Sequence, residues 1–70
     1  MKEEFKTGFA NCLRLHVYEK PDRESEIVCK LRYSTEVAID EEESTDEFYK
    51  ICTVTGAEGY ASKDCVTVIQ

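Results

Sequence analysis

Seventy residues with a formal net charge of −6 make one small acidic domain. Such a surface is repelled by phosphate backbones and anionic bilayers, so neither nucleic acid nor membrane is an expected partner. At 41% hydrophobic and 34% charged the composition is globular rather than disordered, and no apolar run is long enough to span a bilayer.

In chain order, residues 1–9 read as a flexible N-terminal segment, charged through Lys6, with Phe5 tacked to the body, and residues 10–69 as the folded domain. No apolar stretch follows the first charges, so no secretory leader is seen and the expected location is the cytoplasm. Leu13, Leu15 and Val17 alternate with Arg14, His16 and Tyr18, the period of a strand with one buried and one wet face. Residues 19–25 are polar, carry Pro21-Asp22, and read as a loop. Ile27–Leu31 is a second strand, with Ile27, Cys29 and Leu31 on one face. Arg32–Thr35 is a turn, and Glu36–Asp40 a third strand burying Val37 and Ile39. Residues 40–47 hold six of the fifteen acids. Ser44 and Glu47 have capping-box spacing, but no helical apolar period follows, so no helix is expected there.

Phe48–Ala61 has the β-formers and glycines of a hairpin. Tyr49 and Ile51 point one way, and Phe48, Lys50 and Cys52 the other. One of Gly56 and Gly59 supplies a positive φ, the other a bulge or a close backbone approach. Ser62–Cys65 reads as one tight helical turn and Val66–Ile69 as the last strand. About five short strands and no long helix must curl into a small barrel or sandwich, with neighbours in sequence pairing as a meander.

Cys12, Cys29, Cys52 and Cys65 contain no C-x-x-C pair, so neither a zinc ribbon nor a dithiol redox site is signalled. Without a leader, free and mostly buried thiols are expected; disulfides and a metal site are the alternatives. His16 beside a cysteine could make a nucleophilic dyad, but the chain has little scaffold for an oxyanion hole, so no enzyme is expected. The acidic run lacks the glycine and the alternating Asp/Asn of a calcium loop. No metal and no cofactor is expected.

Three blocks resemble the bacterial SH3-like (SH3b) domain family. Leu15-His16-Val17-Tyr18-Glu19-Lys20-Pro21 resembles its opening L-N-V-R-x-G-P. Ser25 to Leu31, running on through Thr35 to Ile39, resembles S-x-V-I-G-x-L … G-T-x-V-x-V. Phe48-Tyr49-Lys50-Ile51 with Gly59 to Val66 resembles W-Y-K-V … G-W-V-x-x-x-Y-L. The family's turn glycine is here Ser34, and its two tryptophans are Phe48 and Tyr60. The resemblance implies an all-β, five-stranded SH3-like barrel with a short 3-10 turn before the last strand. It also implies noncovalent recognition, since members often accompany cell-wall hydrolases and are thought to bind peptidoglycan or peptides. In such a barrel Tyr18, Phe48 and Tyr60 would floor a shallow groove, with Glu19, Asp22, Asp46 and Glu47 on its rim. That arrangement suits a basic or proline-containing peptide. Binding to cell-wall peptidoglycan is the alternative, as is a small acidic mobile-element protein that inhibits a basic or DNA-binding partner.

Overall fold

A computed structural model describes residues 5–69. Seven strands run in chain order: β1 (Lys6–Ala10), β2 (Arg14–Tyr18), β3 (Ile27–Arg32), β4 (Glu36–Asp40), β5 (Phe48–Cys52), β6 (Glu58–Ser62) and β7 (Val66–Ile69). Two 3-10 turns, Glu41–Glu43 and Lys63–Cys65, precede β5 and β7. The strands form one antiparallel sheet in the order β3-β2-β6-β5-β4-β1-β7. The expected closed five-stranded barrel is therefore corrected: there are seven strands, and the sheet is open between β3 and β7.

The sheet is nonetheless rolled. Seven strands at a spacing of about 4.8 Å would lie about 29 Å across if flat, and a single layer would be about 10 Å thick. The molecule measures 32 × 23 × 22 Å. One apolar cluster draws Ala10, Leu15, Val17, Val37, Ile39, Ile51, Ala61 and Val66 from six of the strands. Only a sheet curled around its own apolar face can bring these together.

Four further expectations are revised. Residues 6–9, assigned to a flexible segment, form with Ala10 a strand between β4 and β7, while residues 1–4 lie outside the described residues. Phe5 and Leu13 are exposed, Leu13 by 84%, because it sits in the β1–β2 link where alternation lapses. Ile27 does not share a face with Cys29 and Leu31. The register jumps from Val17↔Cys29 to Tyr18↔Ile27, and this bulge turns Ile27 outward beside Tyr18. The meander holds for β2–β3 and for β4–β5–β6 but not beyond: β3 and β4 do not pair, whereas β1 pairs with β4 and β7, and β2 with β6.

The acidic run folds locally rather than trailing. The Asp40 carboxylate accepts the Glu42 N–H at 3.1 Å and starts the first 3-10 turn. Ser44 Oγ donates to the Asp40 carbonyl and accepts the Lys50 N–H, and Thr45 Oγ1 accepts the Phe48 N–H.

In the Arg32–Thr35 turn, Ser34 holds φ 71°, and the Thr35 N–H closes the turn on the Arg32 carbonyl at 3.1 Å. A left-handed backbone costs an L-residue about 1–2 kcal/mol. Ser34→Gly is expected to raise stability by about 0.5–1 kcal/mol, part of the relief being offset by glycine's larger unfolded entropy. Chemical denaturation checks this; a lower midpoint at unchanged slope would show that the serine is not strained.

Candidate functional site

The outer face of the sheet carries the candidate site. On β2, Leu15 and Val17 enter the core, so His16 and Tyr18 face out. On β6, Gly59 and Ala61 are buried, so Tyr60 faces out. Tyr18 and Tyr60 are direct cross-strand partners, and Tyr60 is in turn opposite Lys50, which is opposite Asp40. The row Ile27–Tyr18–Tyr60–Lys50–Asp40 therefore crosses five strands without a break. Lys50 Nζ lies 5.4 Å from the Tyr60 ring centroid, within cation–π range.

Tyr18 is held edge-on by two rings, His16 at 6.2 Å and Phe48 at 6.1 Å between centroids. Phe48 itself is only 4% exposed. Its ring packs against Tyr18 in a T-shaped contact and leaves little of its own surface open. Tyr18 and Tyr60 are both half-buried.

Beside Tyr18 lies an open cleft of about 240 Å³, lined by Arg14, Leu15, His16, Tyr18, Arg23, Ser62, Asp64 and Cys65. Arg23, Ser62 and Asp64 also line a neighbouring cleft with Asp46, Glu47 and Lys63, so the two share a wall. Arg23 Nη2 donates to Ser62 Oγ at 3.5 Å across this junction. Glu19 and Asp22 line a third, separate cleft with Lys20, Glu24, Ser25 and Glu26. Thus Tyr18 and Tyr60 come together with Phe48 packed against Tyr18, Asp46 and Glu47 line the adjoining cleft, and Glu19 and Asp22 line a different one.

Sequence reasoning passed over Arg14, Arg23, Ser62 and Asp64. Arg14 was legible as a wet-face neighbour of Tyr18 two positions beyond His16; the others required the loop and turn to be placed against β2.

The cysteines differ from expectation. Cys12 and Cys65 form a disulfide, with Cα atoms 5.3 Å apart, while Cys29 and Cys52 are free and half-buried. Reduced thiols were expected, but the β1–β2 link and the second 3-10 turn are brought together by the Asn11 N–H donating to the Cys65 carbonyl at 2.9 Å. Cys65 shares the cleft with His16 and, being in a disulfide, supplies no thiolate for a dyad. Among the described residues no three His, Cys, Asp or Glu side chains converge as a metal site.

A family model described as the bacterial SH3 domain matches residues 14–67. The match runs from the first residue of β2 into β7, and β1 lies outside it. Among solved structures, NlpC2 from Trichomonas vaginalis is similar, with a TM-score of 0.78 at 19% identity, over 94% of this chain. This chain spans 24% of the length of that one. No curated protein is similar enough in sequence to count as a match. With some three quarters of its residues under the family model, and the strands of that span joined in one rolled antiparallel sheet, the chain belongs to the bacterial SH3 domain family.

Proposed function

We propose that this domain is a non-catalytic module that recognises an extended stretch of polypeptide on the Tyr18–Tyr60 ledge. The single observation behind this reading is the direct opposition of those tyrosines on the outer face, where Tyr18 also lines an open cleft. Half-exposed rings offer large contact area at low entropic cost, and proline rings or lysine stems pack on them. Across the wall of Arg23, Ser62 and Asp64 lies the neighbouring cleft with Asp46 and Glu47, where a basic side chain finds carboxylates.

An immobilised array of proline-containing and lysine-containing peptides tests this. Tyr60→Ala and Tyr18→Ala are each expected to weaken the peptides that bind by about tenfold or more, with amide dispersion in the NMR spectrum retained. Array binding unchanged in the Tyr18→Ala/Tyr60→Ala double variant would defeat the reading.

Peptidoglycan is the second reading, favoured by family membership and by the Cys12–Cys65 bond, since disulfides persist in oxidising compartments and are rare in the cytosol. Co-sedimentation with purified peptidoglycan at moderate salt separates the two readings.

A further inference from the structure

The register of the β2–β3 pair sets two arginines face to face, with a lysine in the next outward row. Arg14 is the direct partner of Arg32, and His16 of Lys30. Leu15 and Leu31, the pair between them, turn toward the core, so alternation sends all four outward. Like charges directly opposed destabilise a sheet. The chain has fifteen acids to nine lysines and arginines, so carboxylates are plentiful. Yet among the described residues the one ion pair within 4 Å is Lys6–Glu41, on the far side of the sheet order. Arg14, Lys30 and Arg32 are exposed and have no carboxylate partner among those residues.

We propose that the outer face of β2 and β3 is a carboxylate-recognition surface that takes an acidic segment of a partner polypeptide. A guanidinium is a planar fork that matches a carboxylate with two parallel hydrogen bonds. Residues two apart in an extended chain are about 6.7 Å apart, the same step that separates the Arg14–Arg32 row from the His16–Lys30 row. Carboxylates at alternate positions of an extended segment thus meet successive rows. Arg14, His16 and Tyr18 line one cleft, so the segment continues onto the tyrosine ledge. In that respect the inference rests on the peptide-binding reading and gives its ligand a polarity: acidic at the arginine end, basic toward Asp46 and Glu47. A long polyanion such as nucleic acid meets the net charge of −6 over its whole length, whereas a short acidic segment senses mainly charges within a Debye length of about 8 Å.

The test uses a dye-labelled oligoglutamate peptide with blocked ends, read by fluorescence anisotropy at low and physiological salt. Binding is expected for oligoglutamate and not for oligolysine. Arg14→Gln and Arg32→Gln are each expected to weaken it by about tenfold, the scale of one charge-assisted contact. Arg32→Gln should at the same time hold or raise the melting temperature, because an opposed charge is removed; a merely structural arginine would lower it. Absent oligoglutamate binding, or binding unchanged in the Arg14→Gln/Arg32→Gln double variant, overturns the proposal. Tighter binding of a single-stranded oligonucleotide of equal charge also overturns it. So does concentration-dependent self-association in sedimentation that the double variant abolishes, which would make the occupant a second copy of this chain. If the double variant loses oligoglutamate while Tyr60→Ala and Tyr18→Ala keep all array peptides, the arginine surface stands and the ledge fails; array binding without oligoglutamate binding is the reverse.

Discussion

Gly59→Ala is expected to lower the stability of the domain by about 3 kcal/mol or more, enough to unfold much of it. A Cβ at this position would lie 2.6 Å from the carbonyl oxygen of Tyr18 and 2.6 Å from Val17 Cγ1. The valine is fully buried, and the carbonyl belongs to a strand backbone, so neither gives way cheaply. The position is sensitive for a topological reason as well. β2 and β6 meet through one register pair, Tyr18↔Tyr60, and that junction alone ties β2 and β3 to the rest of the sheet order. A domain of this length has a total stability of about 4–10 kcal/mol, so the loss is a large share of it. The melting temperature should fall by about 12–24 °C. Gly56→Ala is the control. Gly56 has φ 96°, but a Cβ there would meet nothing within 4 Å, so only about 1 kcal/mol of backbone strain is expected. Equal melting temperatures for the two variants would show that close approach is not what Gly59 provides.

Local pattern and long-range register parted company in this chain. Glu36–Asp40, Val66–Ile69 and the turn at Lys63–Cys65 were readable because alternation and turn residues act over a few positions. The split of β5 into Tyr49 and Ile51 against Phe48, Lys50 and Cys52 was readable for the same reason. β1 was not, because Gly8 and Ala10 make its buried face, and small residues carry no hydropathy signal. Gly8 is nonetheless tightly placed: a Cβ there would sit 2.7 Å from Ile39 Cδ1. The outward turn of Ile27 depends on a bulge, which alternation within one strand cannot reveal.

The same division governs the candidate site. That Tyr18 shares the wet face with the hairpin's Tyr60 follows from period two once β2 and β6 are neighbours. That Phe48 is buried, and that Arg14 faces Arg32, requires knowing which residues stand opposite. The cysteines were the least readable. Four of them allow three full pairings besides partial ones, and nothing in their spacing selects Cys12 with Cys65.

Removing that bond is expected to cost about 4 kcal/mol, because it spans 53 positions and a loop of that length loses much of its closure entropy in the unfolded chain. Two hydrogen bonds keep the native corner in place without it: Asn11 N–H to the Cys65 carbonyl at 2.9 Å and Asn11 Nδ2 to Thr67 Oγ1 at 2.7 Å. The effect should therefore fall mainly on the unfolded state, lowering the melting temperature of Cys12→Ser/Cys65→Ser while the native spectrum stays dispersed. Thiol titration of the denatured, unreduced protein should find the two free cysteines, Cys29 and Cys52, and all four after reduction. Cys52→Ser is the matched control, since that thiol sits on the outer face of β5 and closes no loop. Four free thiols before reduction, or a double variant that melts with the Cys52→Ser control, would remove the bond from the account of stability. Because Cys65 also walls the cleft beside His16 and Tyr18, the bond fixes one side of the ledge by the same constraint. A protein that kept its stability without the bond would have no covalent reason for that wall to stay where it is.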